Sequence, residues 1–128
     1  TATGEKIAQI AAPKFKKLAL EMGGKNPAVV FDDCDFERTV SEIVRSSFSN
    51  QGQICLCGSR VLVQASIYEK FKAAVVAKTR ALVLGDPLEK TTQQGAVVSE
   101  LHFQKILGCL DLARTEGGKI LCGGKPAK

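Results

Sequence analysis

The sequence of 128 residues has no tryptophan, one tyrosine and a single histidine. A surface for single-stranded nucleic acid usually combines basic residues with aromatic side chains on which bases stack. Aromatic residues make up only 5% of this chain, so we interpret its net charge of +5 mainly as an aid to solubility. We therefore expect no nucleic-acid partner.

No apolar run approaches the roughly 20 residues that a membrane-spanning helix needs, and the first residues lack the apolar core of a secretion signal. The five cysteines are odd in number, which favours free thiols in a reducing compartment. We expect a cytoplasmic protein without a membrane partner. Because there is one histidine, His102, and the pair Cys55 and Cys57 is C-x-C, no metal site is expected.

Hydrophobic residues, at 45% of the chain, are numerous enough for one domain with a real core. The apolar run 27–31 is typical of a strand buried on both faces, and 60–64 predicts a second strand. Between them lies one helical stripe, formed by Phe36, Val40, Ile43, Val44, Ser47 and Phe48. A strand, a helix and a strand in this order predict a parallel βαβ core, so the fold class is α/β.

Three further helices are expected to flank this core. The first covers 3–12, where apolar residues recur at helical spacing. The pair Ser66 and Glu69 has the spacing of a capping box and predicts the start of a second helix. Ser99 is expected to cap a third helix, which the glycines at 117–118 end.

Two shorter segments, 17–21 and 119–122, predict additional strands beside glycine-rich turns. Two polar segments remain that could carry chemistry. The first contains Glu21 followed by Gly23 and Gly24, and its glycines would let a backbone approach a ligand closely. A tight turn before a strand, with Glu21 in solvent, is the alternative that the spacing alone favours.

The second polar segment, 48–57, is rich in amides and ends in thiols. Amides and backbone N–H groups can stabilise developing negative charge, and a cysteine beside them could be a nucleophile if its thiolate is favoured. A buried structural cysteine is the commoner alternative. No histidine lies nearby in sequence, and His102 beside an apolar stripe is interpreted as a surface or packing residue.

Together, the two segments resemble the aldehyde dehydrogenase superfamily. The family's glutamate motif, an apolar residue then Glu-x-Gly-Gly-Lys-x-Pro, matches 20–27, and its cysteine motif, Phe-x-Asn-Gln-Gly-Gln-x-Cys, matches 48–55. Their order and separation are those familiar in the family, and the similarity covers essentially the whole chain. The resemblance implies the tail of a cofactor-binding domain over 1–22 and the N-terminal part of a catalytic domain over 23–128.

The resemblance also implies a mechanism. Cys55 would attack an aldehyde, NAD or less often NADP would accept the hydride, and Glu21 would activate water to hydrolyse the thioester. A small aldehyde substrate and a homo-oligomeric parent enzyme are implied as well. The first helix resembles the one whose N-terminus receives the cofactor pyrophosphate in the family, and a helix N-terminus can bind phosphate through its free N–H groups. The residues placed near the cofactor are Met22, Gly23, Thr1 and Thr3.

One departure from the family pattern is Gly95-Ala96, where many relatives have Gly-Pro. With the segment 54–57, it resembles the branch that acts on muconic semialdehydes. A betaine-aldehyde or general aliphatic-aldehyde enzyme is the alternative within the family. The alternative from another class is a non-catalytic α/β module that keeps the motifs for assembly or partner binding.

The dinucleotide-binding strands and the oxyanion asparagine of the family are expected to lie outside these 128 residues. We therefore expect the chain by itself to be inactive and to bind NAD very weakly.

One general rule about ligand sites in α/β sheets fits poorly with Cys55 as a site residue. Open α/β sheets usually bind ligands beyond the carboxyl ends of their strands, whereas Cys55 precedes a strand.

Overall fold

The computed structural model describes residues 1–127 and contains the four expected helices and the two expected strands of the βαβ unit. The helices are α1 (Ala2–Ala11), α2 (Phe36–Phe48), α3 (Tyr68–Arg80) and α4 (Glu100–Thr115), and the strands are β1 (Pro27–Val30) and β2 (Arg60–Val63). Short 3₁₀ turns adjoin three of the helices, at Ala12–Lys14, Ser49–Gly52 and Ala65–Ile67. Within residues 1–127, no helix has both the length and the apolar character needed to cross a membrane.

The centre of the fold is the parallel pair β1 and β2, which α2 connects. Pro27 lies opposite Arg60, and Val30 lies opposite Val63. The predicted parallel βαβ unit is therefore confirmed, and with it the α/β class.

The core lies on one face of this pair, where α2 and α3 pack against the strands. Its buried side chains are Val30, Val40, Ile43 and Phe71. The Phe71 ring meets the Phe36 ring edge to face, with 5.7 Å between ring centroids. This arrangement is favourable because the positive edge of one ring faces the negative face of the other.

The opposite face of the pair is open in this chain. Val29 and Leu62 each keep 57% of their surface exposed, and Phe31 just beyond β1 is exposed as well. The expectation that 27–31 is buried on both faces is therefore wrong for residues 1–127. Strand residues alternate between the two faces, and the packing of α2 and α3 covers only the face that carries Val30.

A polar cluster joins the segments that follow the carboxyl ends of the two strands. The Asp32 carboxylate accepts hydrogen bonds from Gln64 Nε2 at 2.6 Å and from Ser66 Oγ at 2.8 Å. Gln64 Oε1 in turn accepts from the Asp32 backbone N–H at 3.1 Å. These side chains bond one another at the edge where α/β sheets usually bind ligands.

The same cluster explains why the predicted capping box does not form. The Ser66 hydroxyl donates to Asp32, and α3 begins only at Tyr68, without a side-chain cap from the residues that the structure describes. Glu69 instead pairs with Lys72, with 2.6 Å between Oε2 and Nζ, and this hydrogen bond raises the pKa of Lys72.

The predicted caps of α4 are confirmed. Ser99 Oγ accepts a hydrogen bond from the His102 backbone N–H at 3.2 Å. At the other end, Gly117 has a φ of +84°, and the Gly118 N–H donates to the Ala113 carbonyl at 2.7 Å. This left-handed glycine and its backward hydrogen bond form a Schellman motif, which ends the helix.

The strands predicted over 17–21 and 119–122 are not formed. A strand needs a neighbouring backbone for its ladder, and neither segment finds one within residues 1–127. The Leu121 carbonyl accepts a hydrogen bond from the Arg80 guanidinium at 3.0 Å instead. The segment that contains Leu20 and Met22 packs against α1.

Candidate functional site

The two polar segments meet at the amino ends of β1 and β2. The glutamate segment leads into β1 at Pro27, and the cysteine segment leads into β2 at Arg60. Because the strands are parallel, both segments lie at the same edge of the pair. This edge is opposite to the one at which Asp32, Gln64 and Ser66 form their cluster.

The cysteine segment begins with an unusual backbone. Asn50, Gln51 and Gly52 follow one another with φ values of 49°, 56° and 74°. The left-handed conformation costs a residue with a Cβ roughly 1–2 kcal/mol, so Asn50 and Gln51 need neighbours that hold them in it. Such strained backbone is often found at functional sites.

A segment far along the chain supports this left-handed turn. Gln94 Oε1 accepts a hydrogen bond from the Gln51 backbone N–H at 3.1 Å, and Gln53 Oε1 accepts from the Val98 backbone N–H at 3.1 Å. Gln94 is itself held to the chain after α3, because its N–H donates to the Val83 carbonyl at 3.0 Å. In the first bond a side chain of the later segment accepts from the backbone of the cysteine segment. In the second bond a side chain of the cysteine segment accepts from the backbone of the later segment.

Cys55 occupies the corner of the next turn. The Cys57 N–H donates to the Ile54 carbonyl at 3.2 Å, which closes a four-residue turn with Cys55 at its second position. Cys55 is exposed, whereas Cys57 is only 6% exposed and points into the fold. The two thiols of the C-x-C pair therefore have opposite environments.

The chain after this turn is tied to the end of α2. The Gly58 carbonyl accepts a hydrogen bond from Ser47 Oγ at 2.9 Å, and the Gly58 N–H donates to Ser46 Oγ at 3.2 Å. Ser47, expected on the apolar stripe of α2, thus acts through its hydroxyl. The Cys55 turn is held on both sides, by residues 94–98 before it and by α2 after it.

The glutamate segment lies directly against the Cys55 turn. A Cβ added to Gly24 would be only 2.5 Å from the Cys55 carbonyl oxygen, so a residue without a side chain is required for this approach. Asn26 Nδ2 donates to the same carbonyl at 2.6 Å. A Cβ added to Gly23, in contrast, would meet nothing within 4 Å.

The first turn of α1 lies against the same segment. Gly4 is buried, and a Cβ added to it would be 2.9 Å from Met22 Sδ. Thr1 is the N-cap residue of α1 and, within residues 1–127, its side chain makes no capping hydrogen bond. Thr1 and Thr3 are both exposed at this end of the helix.

The two polar segments together form the walls of a cleft of about 440 Å³. Four of the residues expected at the site lie in its walls. Cys55 and Glu21 were expected as catalytic residues, and Met22 and Gly23 were expected near the cofactor. Its walls are Glu21, Met22, Gly23, Gly24, Gly52, Gln53, Ile54 and Cys55. A cleft of this size can hold a small molecule, and its walls present a thiol and a carboxylate to that molecule.

The titratable side chains in the cleft walls are the Glu21 carboxylate and the Cys55 thiol. In the described part of the chain, no group of three or more histidine, cysteine, aspartate and glutamate side chains could hold a metal ion. His102 lies in the first turn of α4 and is absent from the cleft walls.

Two residues at the site were missed by the reasoning from sequence. Asn26 occupies one of the two variable positions of the glutamate motif, so the motif drew no attention to it. Gln94 follows a polar loop and carries no motif at all. The sequence signal that was available is the amide content of the cysteine segment, which contains Asn50, Gln51 and Gln53. Only the structure shows that Gln94 lies beside this segment.

The close approach at Gly24 can be tested by stability. We expect Gly24→Ala to lower the free energy of unfolding by about 1–3 kcal/mol, because the methyl group would overlap the Cys55 carbonyl. Gly23→Ala is the matched control and should leave stability unchanged or raise it slightly, since its methyl group meets open space. Urea denaturation of both variants gives the comparison, and equal stability would contradict the close approach.

Comparison with known proteins defines the class. The model of the aldehyde dehydrogenase family matches residues 1–128. In the solved structure of betaine aldehyde dehydrogenase from Staphylococcus aureus in complex with NAD+, a matching region has a TM-score of 0.95 and 40% identity, covering 99% of this chain and 25% of that one. The chain therefore belongs to the aldehyde dehydrogenase family, and the fold resemblance seen in the sequence is confirmed.

Two curated relatives are similar over most of the chain. The 2-aminomuconic semialdehyde dehydrogenase of Mus musculus is 48% identical over 121 residues, which cover 94% of this chain and 25% of the relative. The 4-trimethylaminobutyraldehyde dehydrogenase of Oryzias latipes is 42% identical over 124 residues, which cover 97% and 25%. The chain thus spans about a quarter of the length of these relatives.

Proposed function

We propose that this chain is part of an enzyme that oxidises an aldehyde to a carboxylic acid with NAD as the hydride acceptor. The observation that carries the proposal is the cleft whose walls include both Cys55 and Glu21. Membership of the aldehyde dehydrogenase family supports it. The cofactor is inferred from a relative crystallised in complex with NAD+.

In the first stage, the Cys55 thiolate adds to the carbonyl carbon of the aldehyde and forms a C–S bond. The exposed position of Cys55 at the corner of a turn leaves its sulfur accessible to a molecule in the cleft. NAD, when bound, would supply the hydride acceptor that lets the oxyanion formed by this addition collapse to a thioester on Cys55. Adding a covalent step in this way divides one difficult reaction into two easier ones.

In the second stage, Glu21 takes a proton from a water molecule as that water adds to the thioester carbonyl. The C–S bond then breaks, the carboxylic acid leaves, the Cys55 thiolate is regenerated and Glu21 releases its proton to solvent. A carboxylate can serve as such a base if it lies one hydrogen bond from the water. Glu21 is exposed at the wall of the same cleft, which supports this role.

The cofactor would be held on the side of the glutamate segment. The backbone at Gly23 faces open space, so a flat ring can lie against it, and Met22 is its neighbour in the cleft wall. Thr1 and Thr3 lie at the N-terminus of α1, whose N–H groups suit the pyrophosphate. On this proposal, residues 1–22 are the tail of the cofactor-binding domain and 23–128 begin the catalytic domain.

A muconic-type semialdehyde is the substrate class that we favour. The relatives named 2-aminomuconic semialdehyde dehydrogenase, at 46–48% identity, support it, and the segment 54–57 with Gly95-Ala96 resembles that branch. The second candidate is a trimethylammonium aldehyde, because relatives named 4-trimethylaminobutyraldehyde dehydrogenase are 40–44% identical. The ratio of kcat/KM values for the two substrates in the full-length enzyme decides between them.

The whole protein would be a homo-oligomer in the cytoplasm. The five cysteines of the chain are all free, which fits a reducing compartment. The oligomeric state follows from the family resemblance and is open to measurement by light scattering on the full-length protein.

The proposed function is tested by NADH formation. We expect the full-length protein to reduce NAD in the presence of an aldehyde, and the 128-residue chain alone to form no NADH. Catalysis needs the thiolate, an oxyanion donor and the cofactor held in line, and misplacing such groups is costly. NADH formation by the short chain, lost in Cys55→Ala, would contradict the expected inactivity. A full-length protein without any aldehyde-dependent NADH would favour the non-catalytic module.

A further inference from the structure

Asn26 connects the two polar segments through its side-chain amide. Its Nδ2 donates to the Cys55 carbonyl at 2.6 Å and lies 3.4 Å from the Cys57 carbonyl oxygen. These two carbonyls belong to the second and fourth residues of the turn that carries Cys55. One amide therefore fixes the direction of the backbone from which the Cys55 side chain projects.

The backbone of Asn26 is itself well anchored. Its carbonyl accepts from the Arg60 N–H at 3.3 Å, at the start of the β1–β2 ladder, and the preceding Lys25 carbonyl accepts from the Arg60 guanidinium at 2.6 Å. The amide thus extends from the edge of a parallel sheet to the turn. A group held by regular structure positions its neighbour more accurately than a group on a free loop.

Asn26 also belongs to the segment that carries Glu21. Between them, Gly24 approaches the Cys55 carbonyl so closely that no side chain would fit. The close approach and the amide bond act on the same carbonyl oxygen. The distance between the segment with the carboxylate and the turn with the thiol is therefore set at this contact.

We propose that Asn26 is a positioning residue that holds Cys55 and Glu21 in register across the cleft. The proposal rests on the proposed function, because it concerns the nucleophile and the base of that reaction. In this positioning role, Asn26 does not contact the substrate. It acts through the Cys55 carbonyl, and its loss lowers the rate constants of both the attack by the thiolate and the hydrolysis that follows.

A purely structural role for Asn26 makes a different prediction. If the amide only stabilised the fold, its removal would reduce the number of competent sites and leave each remaining site as fast as before. If it positions the two groups, the number of sites per folded subunit is kept and the rate constants fall. A shift of about 1 Å in reacting groups can cost about 100-fold in rate.

The two roles are separated with 4-nitrophenyl acetate as a probe of the full-length enzyme. This activated ester acylates a nucleophilic thiol without NAD and releases 4-nitrophenolate. The amplitude of the initial burst counts competent sites, its rate constant measures attack by Cys55, and the following steady rate measures deacylation assisted by Glu21. Thermal unfolding of each variant reports folding separately.

For Asn26→Ala, we expect an unchanged burst amplitude per folded subunit and a fall of about 10- to 100-fold in both rate constants. Asn26→Ser keeps one hydrogen-bond donor and should fall between the wild type and Asn26→Ala, which also provides a test if the alanine variant folds poorly. Gln64→Ala is the matched control, because it removes a side-chain amide from the other edge of the same sheet. Its rate constants should equal those of the wild type.

Unchanged rate constants in both Asn26 variants, or a loss confined to burst amplitude, would overturn the proposal for Asn26. A wild-type enzyme that shows neither a Cys55-dependent burst nor aldehyde-dependent NADH would instead overturn the proposed function. The two failures are therefore distinguishable in the same set of measurements.

Discussion

Replacing Cys55 by alanine in the full-length enzyme is expected to abolish aldehyde oxidation. The variant has no sulfur to form the covalent intermediate, and removing an enzyme's nucleophile can cost about six orders of magnitude in kcat. The loss should appear in kcat, measured as NADH formation at saturating aldehyde. NAD binding, measured by calorimetry, should stay within about twofold, because the cofactor contacts proposed here lie on the glutamate segment and α1.

Cys57→Ala is the matched control for this experiment. Cys57 lies two positions further on and is buried, with its sulfur 3.8 Å from the Ser49 carbonyl oxygen. Its replacement removes a small core side chain and should lower stability by about 1 kcal/mol while most of the activity per folded enzyme remains. Equal losses of activity in the two variants would point to a paired-thiol function and against Cys55 as the sole nucleophile.

Glu21→Gln is expected to separate the two stages of the reaction. Glutamine has nearly the shape of glutamate and cannot take a proton from water, so the thioester should form at a normal rate and hydrolyse slowly. Rapid mixing of the full-length enzyme with NAD and aldehyde should give a first-turnover burst of NADH that approaches one per site. The steady-state rate should then fall by about 100-fold or more, the usual range for loss of a general base.

Glu89→Gln makes the same chemical change at an exposed residue of the loop after α3, outside the cleft. It should leave both the burst and the steady-state rate unchanged. A Glu21→Gln enzyme that turns over at the normal rate would remove Glu21 from the mechanism, whatever the result for Cys55.

The nucleophile loop is supported by amides more than by charged side chains. Gln94 bonds the left-handed turn, Gln53 bonds the chain near Val98, and Asn26 bonds the Cys55 carbonyl. Each of these bonds joins a side-chain amide to a backbone group, so no fixed charge is placed beside the thiol by the support itself. A loop held in this way keeps its strained backbone in place.

The helices and strands could be predicted wherever apolar residues recur at helical spacing or form a short continuous run. The stripe of α2 and the apolar runs of β1 and β2 were sufficient for the βαβ unit. The capping box predicted at Ser66 does not form because the Ser66 hydroxyl donates to the carboxylate of Asp32, which follows the end of β1. The strands over 17–21 and 119–122 failed because a strand also depends on a partner, and residues 1–127 provide none there.

By itself, the sequence determined the family, the fold class and the two segments that carry Glu21 and Cys55. Only the tertiary structure decided that these segments meet at the amino ends of the strands and that Gly24 touches the Cys55 carbonyl. It also identified Asn26 and Gln94, whose bonds join residues 29 and 43 positions apart. A side chain that bonds a distant backbone group leaves no periodic signal in the chain, because its partner is chosen by how the elements pack and not by local propensity.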